Sequence, residues 1–127
     1  MPSNKERTIA ITGSASGIGA SLRNSLESNG TNVIGIDLND ADVIADLSNV
    51  DGRNKAISET LDRAGSALDG LVTSAGVGPP CDPEKIISIN WLGTVKIING
   101  LREALAVSNS TAKVVAVSSN STTITPN

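Results

Sequence analysis

Thr12-Gly13-Ser14-Ala15-Ser16-Gly17-Ile18-Gly19 follows a β-branched run, residues 7–12, and leads into a stretch where Ile18, Leu22 and Leu26 recur every four positions. A turn from a strand into a helix offers free backbone N–H groups and the positive end of the helix dipole to an anion. In a dinucleotide-binding turn, Gly13 allows the tight exit from the strand and Gly17 the close approach of backbone to a pyrophosphate. Gly19 then lets the helix pack tightly on the strand. Ser16 and Ile18 lie between these glycines and are assigned to the same phosphate-facing loop. Glycines at such a turn can also be turn residues and nothing more. No Lys follows the last glycine, which excludes the P-loop.

Asp37 stands 18 positions beyond Gly19, at the end of a second apolar run, residues 32–36. A carboxylate there accepts hydrogen bonds from an adenosine ribose and repels a 2′-phosphate. Ser14, Ala15, Ser16, Leu38 and Asn39 supply no cation to offset it, so the residues favour NAD over NADP. The plainer reading is an Asp that merely ends a strand.

Composition narrows the chemistry further. The 127 residues hold no His, one Cys and no Tyr, which removes a His base, a disulfide framework and most zinc sites; no metal site is expected. Cys81, in a Pro-rich loop, reads as incidental. Net charge is −3 with no basic patch, so nucleic acid is not an expected partner. No apolar stretch of about 18 residues is present to span a bilayer. Only a short apolar run follows Lys5, Glu6 and Arg7, so no signal peptide is read and the cytoplasm is the expected compartment. On that ground the acceptor patterns at Asn109-Ser110-Thr111 and Asn120-Ser121-Thr122 are taken as chance. Five Asp and no Lys or Arg lie within residues 37–51.

The elements that must position these residues alternate. Strands are expected at 7–12, 32–36, 42–46, 70–73 and 113–118. Helices are expected at 17–29, ended by Gly30, at 50–64 with Glu59 and Arg63 as an i,i+4 pair, and at 84–107. The last helix should carry Ile87, Trp91, Ile98, Leu101 and Leu105 on one stripe, with Trp91 packed in the core or at a helix interface. The aliphatic set of 13 Ile, 10 Val, 10 Leu and 13 Ala, with one Trp as its only aromatic, suits buried parallel strands. Such alternation implies an α/β fold with right-handed crossovers. It breaks off eight residues after Ser119, so the chain reads as an incomplete domain with its C-terminal part missing.

These residues resemble the short-chain dehydrogenase/reductase family. Residues 12–19 match its T-G-x-x-x-G-x-G pattern at every fixed position. Asp46-Leu47 resembles the element that contacts the adenine edge, and Ser74-Ala75-Gly76 its N-A-G element, with Ser in place of the usual Asn. Asn90-Trp91-Leu92-Gly93 resembles its N-x-x-G, and residues 114–119 its fifth strand. Within the family, the phrasing around Gly35-Ile36-Asp37 and Asp69-Gly70-Leu71-Val72 is most similar to the bacterial 3α-hydroxysteroid dehydrogenase/carbonyl reductase branch. The resemblance implies a Rossmann-type doubly wound parallel sheet of strand order 3-2-1-4-5, with residues 1–127 as the N-terminal dinucleotide-binding part of one domain.

The activity so implied is NAD-dependent hydride transfer to or from a secondary alcohol or ketone, steroids among them, by a homo-dimer or homo-tetramer. Carried over residue by residue, Gly13, Ser16, Gly17, Ile18, Gly19, Asp37, Leu38, Asp46, Leu47, Ser74, Ala75 and Gly76 would face the cofactor. Ser119, or Ser118 one register away, would orient the carbonyl, and Asn90 would hold a relay water. The family's Tyr-x-x-x-Lys acid/base element has no counterpart in a sequence without Tyr, so these residues alone are expected to be inactive. A dinucleotide-binding redox sensor without chemistry is the alternative. A methyltransferase-type Rossmann domain fits the glycine spacing less well.

Overall fold

A computed structural model describes residues 6–119. Five strands form one all-parallel sheet: β1 (Thr8–Thr12), β2 (Asn32–Asp37), β3 (Val43–Ile44), β4 (Gly70–Thr73) and β5 (Lys113–Ala116). They lie in the order β3-β2-β1-β4-β5, as the family resemblance implied. Ala10 pairs with Ile34 on one side and with Leu71 on the other. From β1 the strands are added outward to one side as β2 and β3 and then to the other side as β4 and β5, and ligand crevices of open α/β sheets form at such a switch point in strand order, beyond the carboxyl ends of the strands.

Successive strand side chains point to opposite faces, and both faces of β1, β2 and β4 are covered, so these strands are apolar through their buried spans rather than alternating. Ile9, Ile11, Val33 and Val72 face α1 (Gly17–Ser28), whose Leu22 and Leu26 pack on them. Ala10, Ile34, Ile36 and Leu71 face the opposite way, onto Ala56 of α2 (Val50–Ala64) and Ile97, Leu101, Ala104 and Leu105 of α4 (Thr94–Ala106). This is the Rossmann-type, doubly wound arrangement. Among the described residues, no helix is long and apolar enough to cross a membrane.

Four sequence expectations shift. The third strand is two residues long rather than five, because only Ile36 and Asp37 of β2 pair with it. Ile18 is exposed rather than part of the apolar face of α1. Glu59 pairs with Lys55 at 3.8 Å, the preceding turn, not with Arg63. The long helix is continuous in extent but not in winding. It begins as α3 (Pro83–Ile86), capped by Asp82, passes through a π-helical segment (Ile87–Gly93), and resumes as α4. A π turn fits one more residue than an α turn, so it rotates the apolar stripe. Ile87 and Trp91 therefore face solvent, at 56% and 64% exposure, which removes the core from the two places expected for Trp91, the core or a helix interface. Asn120, Ser121 and Thr122 lie outside the described residues.

Candidate functional site

The loop after β1 is shaped by close backbone approach. Gly13 has φ +75, its N–H donates to Ile36 O at 2.8 Å, and a Cβ on it would strike the Ala75 backbone. A Cβ on Gly19 would run into the Gly13 carbonyl, so α1 can start directly on β1 only with glycine at that position. Gly17 is different: at φ +56 it faces open space, with no atom from beyond its own turn of chain within 4 Å of a Cβ. The turn therefore uses two glycines to pack the protein and one to leave room.

That room adjoins a helix start with nothing of its own to satisfy it. Ser16 stands at the N-cap of α1 without a side-chain hydrogen bond, and no acidic residue lies in the first turn. In contrast, Asn49 caps α2 by accepting from Gly52 N–H at 2.6 Å, and Asp82 caps α3 by accepting from Lys85 N–H at 2.9 Å. The first-turn N–H groups of a helix have no intrahelical acceptor. At α1 they open onto a cleft of about 400 Å³.

Four loops converge on this cleft. The glycine loop brings Gly13, Ser16, Gly17, Ile18 and Gly19, and the end of β2 brings Ile36, Asp37 and Leu38. The segment after β3 adds Ala45, Asp46 and Leu47; the segment after β4 adds Ser74, Ala75, Gly76 and Val77, with Ile89 below them. All twelve residues assigned to a cofactor from the sequence thus border one cavity. Ile36, Ala45, Val77 and Ile89 were not singled out, since apolar lining carries no motif. Ser119 and Asn90 are outside the lining. Ser119 is exposed just past β5, and Asn90 lies beside Ile89 on the π-helical segment.

Several polar side chains among these residues are held. Asp37 accepts from Ala15 N–H at 2.9 Å and from Leu38 N–H at 2.7 Å, tying the end of β2 to the glycine loop. Asp46 accepts from the Ser48 hydroxyl and backbone N–H at 2.6 and 2.9 Å. Those hydrogen bonds, the hydroxyl's first, hold its carboxyl below the usual range. Ser74, in place of the family's Asn, donates its hydroxyl to the Thr12 carbonyl, while Thr12 Oγ1 accepts from Ser74 and Ala75 N–H at 3.1 Å each. Thr12, 1% exposed, thereby locks the ends of β1 and β4 together; only its fixed place in the glycine pattern marked it. Asn90 is exposed, and both its amide atoms are engaged. It accepts from Val77 N–H and donates to Val77 O, each at 2.8 Å, and so clamps the loop after β4 onto the helix. Among the described residues, no cluster of metal-ligating side chains occurs.

The residues fit a dinucleotide: an uncapped helix start with space above Gly17 suits a pyrophosphate, and a carboxylate one strand away suits a ribose. The profile of the family described as short chain dehydrogenase matches residues 7–126. A 3-alpha-hydroxysteroid dehydrogenase/carbonyl reductase of Comamonas testosteroni is 41% identical over 108 residues, 84% of this chain and 42% of that protein. A coniferyl-alcohol dehydrogenase of Pseudomonas sp. is 42% identical over 93 residues, 68% of this chain and 35% of the relative. The crystal structure of a 3-alpha-hydroxysteroid dehydrogenase from Pseudomonas sp. B-0831, complexed with NADH, superposes with a TM-score of 0.89 at 45% identity, covering 91% of this chain and 46% of that one. The chain thus spans less than half the length of these relatives.

Proposed function

The chain belongs to the short chain dehydrogenase family, and from that membership we propose that residues 1–127 are the N-terminal, dinucleotide-binding part of an NAD-dependent oxidoreductase. The observation that carries this reading is the pairing, across one cleft, of the uncapped start of α1 with the carboxylate of Asp37. In it, the N–H groups at Gly17, Ile18 and Gly19 bind the pyrophosphate, and Asp37 with Leu38 binds the adenosine ribose. Asp46 and Leu47 border the adenine, and Ser74, Ala75 and Gly76 back the nicotinamide ribose. Asp37 disfavours a 2′-phosphate, so NAD rather than NADP is the cofactor. A bound nicotinamide supplies the carbon that gives or takes hydride.

We assign the substrate class as a secondary alcohol or ketone, a steroid being one such substrate, and the cytoplasm as the compartment. Ser119 orients the substrate oxygen. Asn90 keeps the loop at Val77 in place and holds a water in the proton path of the whole protein. Neither side chain titrates near neutral pH, and a proton must move to or from the reacting oxygen within hydrogen-bond reach. The 127 residues contain no Tyr and no His to do so, so by themselves they bind but do not turn over.

The test is titration of NADH into the chain, followed by nicotinamide fluorescence, together with an assay of secondary-alcohol oxidation. Saturable binding abolished by Gly17→Val, with no turnover, is the expected result. Absence of saturable binding overturns the assignment of the cleft, and turnover at enzymatic rates overturns the assignment of the acid/base to residues outside this set.

A further inference from the structure

Asp42 carries two loads on one oxygen. Its Oδ2 accepts from Gly35 N–H at 2.8 Å and from Arg23 Nη2 at 2.8 Å. The first bond has a cause in the sheet. Pairing of β2 with β3 starts only at Ile36 and Val43, and the side chain of Asp42, just before β3, supplies the acceptor for Gly35. The second bond brings a cation from α1 to the same place. Arg23, 21% exposed at its side chain, is also tethered through Nε to Glu27 at 3.3 Å.

The guanidinium enters a slot that only glycine leaves open. A Cβ on buried Gly35 would collide with Arg23 Nη1 and with Ser14 Oγ. Gly35 and Asp37 lie on the same face of β2, the face turned toward α1, and two residues along a strand span roughly 7 Å. The positive charge therefore sits beneath the glycine loop, one strand repeat from the carboxylate assigned to the ribose. Residues 37–46 carry four Asp and no Lys or Arg, and Arg23 is the cation bonded into them.

We infer that Arg23 is a specificity-determining residue for the ribose end of the cleft, and that Asp42 sets its effect by holding the guanidinium over Gly35 and away from the 2′ position. This inference rests on the dinucleotide reading of the cleft. While Asp42 and Glu27 hold Arg23, its charge is matched by theirs and Asp37 alone meets the 2′ position. Released from Asp42, the guanidinium is a long, flexible cation beside that position, suited to bidentate contact with a phosphate.

The experiment compares NADH and NADPH affinities, at low ionic strength, for the wild-type chain, Asp42→Asn, Arg23→Gln and the double variant. Asn at position 42 keeps an acceptor for Gly35 N–H while losing its charge. Asp42→Asn is expected to narrow the NADH-to-NADPH affinity ratio about tenfold, the scale of one charge-assisted hydrogen bond, chiefly by tightening NADPH. In the Arg23→Gln background the same substitution should leave the ratio unchanged, and Arg23→Lys with Asp42→Asn should keep it narrowed. Glu27→Gln, on the exposed side of α1, loosens the same guanidinium with little effect on folding and should shift the ratio in the same direction, less far.

An unaltered ratio in both Asp42→Asn and Glu27→Gln overturns the inference. So does an equal loss of both affinities, which marks a purely structural role, or a shift that persists undiminished without Arg23. All three leave the dinucleotide reading intact, because wild type still binds NADH. Binding of neither dinucleotide by wild type overturns that reading and this inference together.

Discussion

Asp37 accepts from two backbone N–H groups, and an ionised carboxylate offers about four lone-pair sites, so ribose hydroxyls can be bonded without releasing the glycine loop. Removing the side chain should therefore act twice, through the ribose and through the Ala15 latch. Repulsion of a 2′-phosphate plus a lost charge-assisted bond is worth about 2–4 kcal/mol, roughly 30- to 1000-fold in affinity. Wild type should bind NADH more tightly than NADPH by that factor, and Asp37→Ala should erase most of the difference. Leu38→Arg should move the preference further toward NADPH. Titration of both dinucleotides against each variant checks this; an unchanged ratio in Asp37→Ala would show that the side chain does not meet the ribose. At this scale the cleft was legible because its polar residues sit at fixed motif positions between strands and helices. The cluster of Arg23, Gly35 and Asp42 was not. Its members come from three elements, and nothing in their local spacing marks them as neighbours.

The opposite end of the sheet depends on another carboxylate. Asp69, just before β4, accepts from Thr8 N–H at 2.8 Å and from the hydroxyls of Ser108 and Ser110 at 2.6 and 3.2 Å, joining β1, β4 and the connection from α4 to β5. The Ser108 hydroxyl first, then the Thr8 N–H, hold its carboxyl below its ordinary value against partial burial. A depressed folded-state pKa means the contribution is full above the unfolded value, about 4, and is lost as pH falls through the folded one. Asp69→Ala should cost about 1–3 kcal/mol at neutral pH, the scale of a charge-assisted hydrogen bond. Asp69→Asn should cost less and should flatten the acid limb of stability. Chemical denaturation at pH 7 and pH 3 measures both; an acid limb as steep in Asp69→Asn as in wild type would place the sensitivity elsewhere, Asp46 being the next candidate. Strand order and helix positions were legible from period and resemblance together. The π-helical segment was not, because residues 87–93 keep an ordinary helical composition. What that segment fixes is the reciprocal bonding of Asn90 with Val77, a contact across 13 residues that no helical periodicity encodes.

Over the whole molecule, apolar exposure is uneven. β5 forms one edge of the sheet with every residue exposed; Val114, Val115 and Val117 are 44%, 54% and 40% accessible. An open edge presents unpaired N–H and C=O groups, and here β-branched side chains flank them, which together favour edge-to-edge association. Trp91 and Ile87 add a second apolar area on the long helix. A sheet with one edge and one helix face exposed has two surfaces able to take a copy of itself, and a net charge of −3 offers little repulsion against it. The 127-residue chain should therefore self-associate, as a dimer or larger. Placing a charge on the edge strand, as in Val115→Lys, should weaken that association, and Trp91→Ser should reveal whether the helix face contributes. Trp91 is the only aromatic residue, so its emission in the edge variant reports the helix face without interference. Sedimentation velocity across a wide concentration range is the measurement. A wild-type chain that stays monomeric throughout, and unfolds in a sharp transition independent of concentration, would show that the exposed edge is tolerated alone.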